Sequence, residues 1–209
     1  MIPENFWMFA LTGLLLNLTP GSDMLYIIAR SSGQGTKAGV ISALGVGAGC
    51  LFHILAAVVG LSTLIAQSVF AFNIIKYIGA AYLVYLGLKS ILNRRRSFEV
   101  KHQLKPLSLQ KIFWQGVLTN MLNPKVALFF LALLPQFINV HKGNTSLQIL
   151  FLGAWFNVVG TIVNILVAVL FGSVGRWLLK FPYFVQWQER ITGIFLIGIG
   201  IKVALSSKK

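Results

Sequence analysis

Long apolar runs alternate with short polar stretches along the whole chain. The runs are roughly Phe6–Ala29, Ala38–Leu64, Val69–Leu92, Ile112–Ile138, Leu147–Phe171 and Thr192–Leu205. A hydrocarbon core of ~30 Å needs ~20 apolar helical residues. The pattern therefore predicts six membrane-spanning helices. The last run is short unless its helix starts nearer Phe184. A count of five, with one segment lying in the interface or re-entering, is the alternative. The longest polar stretch, Asn93–Lys111, splits the chain near its middle. It divides a first half (1–92) from a second half (112–209), with a basic linker (93–111) expected on the cytoplasmic side. The predicted fold is a single all-α integral membrane domain.

A weak internal repeat supports that division. Gly13-Leu-Leu-Leu-Asn17 precedes Thr19-Pro20, and Gly116-Val-Leu-Thr-Asn120 precedes Asn123-Pro124. Each half holds three predicted spans, an odd number, so the second half must enter the membrane upside down relative to the first. Such 3+3 inverted repeats recur in secondary transporters, which bind substrate between the halves near the midplane.

Both copies of the repeat end at a helix breaker. Proline removes a backbone donor and clashes with the preceding turn, but it suits the first helical position after a Thr or Asn cap. Pro20 and Pro124 are therefore read as breaks in spans one and four, with Thr19 and Asn123 as caps of new half-helices. A helix start inside lipid leaves free N–H groups and a partial positive charge. A cavity or an anionic ligand makes such a start tolerable. Gly21 would let the backbone approach that ligand closely. Simple proline kinks satisfied by neighbouring helices are the plainer alternative.

Composition narrows the class. Hydrophobic residues make up 56% and charged residues 11%, against ~25% charged in soluble domains, so the chain has too little polar surface for water. The net charge is +14, but the basic residues sit between apolar runs, which argues against nucleic acid. Arg30, Lys37, Arg94, Arg95, Arg96, Arg176, Lys180 and Arg190 fall on one side; Lys142, Lys208 and Lys209 fall on the other. A basic excess marks the cytoplasmic face, which predicts both termini outside. Cys50 is the single cysteine, so no intrachain disulfide is expected. The start of the chain lacks a signal-peptide pattern. One cysteine and four acids provide no thiolate or carboxylate cage for a metal, and one acid in the spans is too few for an aspartyl intramembrane protease. Neither an enzyme nor a cofactor is expected.

Charges within a span carry the chemistry, because each costs ~2.5–3.5 kcal/mol on insertion scales. Asp23 follows the first break and Lys125 the second. Asp23 is a candidate for a substrate ammonium or a proton, and Lys125 for a carboxylate. An Asp23–Lys125 ion pair tying the halves together is a second reading. A third places Asp23 at the cytoplasmic edge as a first-turn acid. His53, among Gly45, Gly47 and Gly49, is a proton-carrying candidate or a hydrogen-bonded packing residue; the glycines are read as close-packing positions. Asn120, Asn157 and Asn164 are polar candidates for a cavity. Tyr77, Tyr82 and Tyr85 read as packing or interface residues, and Lys76 as a snorkelling one. With no ATP-binding domain, pumping would draw on a gradient, and a proton is the simplest coupling ion. A cation or metal-ion exporter or channel, or a non-transport assembly factor, are the alternatives; Lys125 argues against cations.

These residues also resemble a known family. Thr19-Pro20-Gly21-Ser22-Asp23, Arg30, Gln34-Gly35 and Ala38-Gly39 open the resemblance, and His53, Tyr77, Gly79-Ala80, Tyr82-Leu83 and Gly87 continue it. Asn123-Pro124-Lys125, Leu128-Phe129-Phe130 and Leu134-Pro135-Gln136-Phe137 complete it. Over nearly the whole chain, the sequence is similar to the lysine exporter and threonine/homoserine exporter family (LysE or RhtB type). The family's early motif usually reads Pro-Gly-Pro-Asp, and Ser22 stands here for the second proline. The resemblance implies gradient-driven efflux of amino acids from the cytoplasm across a bacterial inner membrane. It gives Asp23 the proton or ammonium, with Thr19, Gly21 and Ser22 at the first break and Asn120, Asn123 and Lys125 at the second. The few acids point to neutral substrates such as homoserine or threonine. A homodimer is compatible with the sequence.

Overall fold

The structure, a computed structural model, describes residues 6–61, 69–92, 106–139, 143–178 and 182–205. The first predicted span holds α1 (Phe6–Leu18) and α2 (Ser22–Gln34), and the second holds α3 (Thr36–Ala56). The third is α4 (Val69–Leu92), and the fourth holds α5 (Leu109–Met121) and α6 (Pro124–Leu128). The fifth is α7 (Thr145–Leu178) and the sixth α8 (Pro182–Leu205). This last helix starts before Phe184, which gives it the length that the apolar run lacked. The basic residues Arg94, Arg95, Arg96, Lys142, Lys180, Lys208 and Lys209 lie outside the described residues.

Helix breaks fall at both predicted prolines, but they are built differently. Asn123 caps α6 as expected: its Oδ1 accepts from the Lys125 N–H at 2.9 Å, with Pro124 at the helix start. Thr19 does not cap α2. Its hydroxyl donates back to the Leu15 carbonyl at 2.8 Å, and its N–H also bonds to the end of α1. The N-cap is Gly21, in extended conformation with no side-chain cap. Thr19 is therefore spent on closing α1, and Pro20, with no N–H, falls between the two helices rather than at the start of the second.

By length and apolarity, Thr36–Gly60 and Thr145–Ser173 each suffice to cross a membrane. Leu109–Met121 and Pro124–Phe137, bent by 44° at the break, make a third if they form one span. The outward faces are apolar: Leu51 and Leu55 on α3, and Val158, Ile162 and Leu166 on α7, are all exposed. Their four-residue spacing puts them on one stripe of each helix. A stripe of that kind suits lipid and not water.

Packing runs mainly across the two halves. Helix α3 lies against α5 and α7, and α4 lies against α8. The α3–α5 crossing is close because glycines form it. A Cβ on Gly49 would come within 2.5 Å of the Val117 carbonyl oxygen, and one on Gly116 within 2.8 Å of that of Ser42. Small residues let membrane helices gain contact area where no hydrophobic effect draws them together. Behind this crossing sits an aromatic core. Phe9, Phe129, Phe130, Phe137 and Phe156 are all buried, and the Phe129 and Phe156 rings stack with centroids 4.2 Å apart. After α6 the backbone widens into a π turn at Phe129–Leu133 and tightens into a 3-10 turn at Leu134–Phe137. The π turn carries two of those core rings.

Candidate functional site

The two breaks meet. From the second break, the Lys125 ammonium reaches the end of α1 and donates to the carbonyls of Leu16 (3.1 Å) and Thr19 (2.8 Å). These carbonyls stand at a helix C-terminus, where the partial charge is negative and where intrahelical partners run out. Gly21 leaves room for the lysine: a Cβ there would lie 3.2 Å from Nζ. Its backbone is extended, a conformation open to any residue, so space is what the site requires of this glycine.

Asp23 does not pair with Lys125. Its Oδ2 accepts from the Asn120 side-chain amide at 2.8 Å, so the predicted link between the halves runs through an amide instead of an ion pair. Its Oδ1 is buried with no hydrogen-bond partner, and so is Asn120 Oδ1. The Asn123 amide nitrogen is buried and unpartnered as well. Burying a polar atom unpaired costs ~1–3 kcal/mol, and more when it is charged. Atoms of this kind in a native fold call for a partner, either water or a bound group.

His53 is buried on α3 and its Nε2 lies 2.9 Å from the Asn120 backbone carbonyl. A carbonyl only accepts, so Nε2 carries the hydrogen. The His53 ring stacks on Phe130 at 6.1 Å between centroids. His53 thus holds the end of α5 through its backbone, while the Asn120 side chain faces Asp23.

A cavity joins these groups. From the breaks it is lined by Asn17, Thr19, Asp23, Asn120 and Lys125, and from α7 by Asn157, Thr161 and Asn164. Phe156, Met24, Val46 and Cys50 provide its apolar wall. The space open to the centre of a water molecule is about 30 Å³, room for about two waters and too little for an amino acid.

Of the residues expected at the site, Thr19, Asp23, Asn120 and Lys125 line the cavity, and Asn157 and Asn164 join them. Gly21 and Asn123 stand behind it, shaping the path of Lys125. Ser22 is exposed at the start of α2 and does not line it. Tyr77 and Tyr85 are exposed on α4, away from the cavity. Asn17 and Thr161 were missed. Asn17 could have been found, since the repeat aligns it with Asn120; Thr161 carries no signal beyond lying one turn from Asn157.

Relatives match the chain over most of its length. A Bacillus subtilis (strain 168) protein described as an uncharacterized membrane protein, YrhP, is 34% identical over 92% of this chain and 94% of its own. A homoserine/homoserine lactone efflux protein of Salmonella typhimurium (strain LT2) is 34% identical over 95% of this chain and 96% of its own. A leucine efflux protein of Salmonella choleraesuis (strain SC-B67) is 30% identical over 74% of this chain and 73% of its own. No solved structure matches the chain. The model of the LysE type translocator family matches residues 14–207, a stretch that contains both breaks and every residue of the cavity; the chain belongs to that family of membrane translocators.

Proposed function

We propose that this protein exports neutral amino acids from the cytoplasm across a bacterial inner membrane, through the cavity between the two breaks. The observation that carries the reading is the pair of unpartnered oxygens, Asp23 Oδ1 and Asn120 Oδ1, beside the Lys125 ammonium. An amino acid brings the complement of that set. Its ammonium would donate to the two oxygens, and its carboxylate would draw Lys125 away from the Leu16 and Thr19 carbonyls. Binding would then loosen the link that Lys125 makes between the breaks. Coupling of substrate to conformation follows, because the lysine serves one partner or the other. A neutral substrate matches the single carboxylate and single ammonium of the site. Asn157, Thr161 and Asn164 would read a polar side chain, which favours homoserine or threonine over leucine.

The same proposal takes the fold as six spans in a 3+3 inverted repeat, with both termini outside. Support comes from the packing of α3 on α7 and of α4 on α8 across the halves, and from Asn17 and Asn120, the aligned residues of the repeat, which face one cavity. Named relatives that export homoserine and leucine support the substrate class. Protons are the proposed coupling ion, with Asp23 as carrier and His53 holding Asn120 against it.

Efflux from dipeptide-loaded cells that lack other exporters tests the reading. The expected result is that the wild type speeds release of a few neutral amino acids. Asp23→Asn, still reaching the membrane, should fall to the background rate, and Lys125→Ala should be strongly impaired. Collapsing the pH gradient should slow the wild type; export indifferent to it would remove protons from the scheme. If no amino acid responds to the wild type, the substrate class is wrong.

A further inference from the structure

A second cationic site lies on α2, apart from the cavity. Arg30 is only 8% exposed, yet among the described residues its guanidinium meets no carboxylate. One terminal nitrogen donates to Gln34 Oε1 and the other to Gln115 Oε1, each at 2.9 Å. Both partners are neutral. These two bonds engage one N–H on each terminal nitrogen, out of five that a guanidinium carries. Tyr26 lies under the charge at 5.9 Å. Gln34 is itself fixed, giving and taking a hydrogen bond with the Leu107 backbone at 3.0 and 3.2 Å. The fork is thus held in one orientation before any ligand arrives. A buried charge with no counter-ion among the described residues is costly, and nothing in the cavity mechanism uses this one.

Arg30 opens onto a groove of about 440 Å³ between α2 and α5, lined by Tyr26, Arg30, Gln115, Leu118, Thr119 and Leu122. Its far end is apolar and open to the outside: Leu118 is 55% exposed and Leu122 79%. A hydrophilic solute gains nothing from such a wall. A molecule with an anionic head and a hydrocarbon tail fits both ends.

We propose that this groove is a binding site for an anionic phospholipid, with the phosphate on the Arg30 guanidinium and an acyl chain along Leu118 and Leu122. Guanidinium and phosphate match as a fork with two parallel bonds, and a basic pocket between membrane helices is a known way to select anionic lipid heads. The lipid would bridge α2 and α5, the two helices that deliver Asp23 and Asn120 to the cavity.

The test is native mass spectrometry of the purified full-length protein in detergent. It is offered palmitoyl-oleoyl phosphatidylglycerol or phosphatidylcholine with the same chains. The wild type should retain phosphatidylglycerol about five-fold more strongly. Arg30→Gln should retain the two lipids alike. Gln115→Glu, nearly isosteric, places a carboxylate on the guanidinium and should also abolish the preference, while leaving a folded protein that melts no lower than the wild type. Equal retention by the wild type, or a preference that survives in Gln115→Glu, would overturn the proposal. Displacement of phosphatidylglycerol by inorganic phosphate would reassign the groove to a free anion, and displacement by homoserine would reassign it to a substrate entry site. Either result rejects the lipid. None of these outcomes depends on whether the chain exports amino acids.

Discussion

Asp23 and Lys125 meet the cost of burial separately. The carboxylate takes one bond from an amide, and the ammonium takes two helix-end carbonyls. Lys125→Met would strip the Thr19 carbonyl of its partner, at ~1–3 kcal/mol for a group left unsatisfied, while the Leu16 carbonyl keeps the Thr19 N–H. A melting temperature below that of the wild type is the expected reading, together with lost export. Gly21 provides a sharper test, because its backbone conformation makes no demand for glycine. Gly21→Ala puts a Cβ against a flexible lysine tip, which can shift, and export should fall only in part. Gly21→Val crowds the whole lysine end and should stop export in a protein that still folds. His53→Gln can still donate to the Asn120 carbonyl; His53→Phe cannot. If the role is to hold Asn120, the first variant keeps most of its export and the second loses it. Equal loss in both would point to proton transfer by the imidazole.

At the scale of helices, the two breaks show how much local chemistry decides. Asn123-Pro124 is a cap followed by a helix start, legible from residue preferences alone, and the structure contains it. Asn123→Ala should cost about 1 kcal/mol of stability, measured by denaturation in detergent. Thr19-Pro20 carries the same kind of preferences but ends differently, because a threonine hydroxyl near a helix end can also bond back to the fourth carbonyl before it. Sequence does not say which partner wins; the packing of α1 against α7 and the lysine filling the gap do. The α3–α5 crossing makes a second prediction. A methyl at Gly49 has only backbone oxygen and the Asn120 Cβ to push against. Gly49→Ala should therefore cost ~1–3 kcal/mol, whereas Gly60→Ala, where no described residue lies within 4 Å, should be neutral.

At the scale of the molecule, an antiparallel seam runs from the site along α2 and α5 to the residues just before α5. Asp23 meets Asn120, the Tyr26 hydroxyl donates to the Ile112 carbonyl at 2.6 Å, Arg30 meets Gln115, and Gln34 meets Leu107. With room for about two waters in the cavity, an amino acid needs this seam or its opposite end to part. In a Cys50→Ser background, Gln34→Cys and Leu107→Cys joined by a short cleavable reagent should stop export, and cleavage should restore it. Export that continues through the intact cross-link would place the opening elsewhere.

Apolar run length placed the helices, since lipid demands ~20 apolar residues per crossing whatever their neighbours are. The rarity of charge inside those runs singled out Asp23 and Lys125, and proline chemistry located both breaks. These are local properties, and local properties can be read from a string. Partner choice is not local. That Lys125 bonds to α1 carbonyls, that Asp23 takes Asn120, that Ser22 faces outward and that α7 contributes Thr161 all depend on which helix faces lie together. The same holds for Arg30, which reads in sequence as one more cytoplasmic-side basic residue. Only the docking of α2 on α5 buries it beside two neutral glutamines and opens a groove next to it.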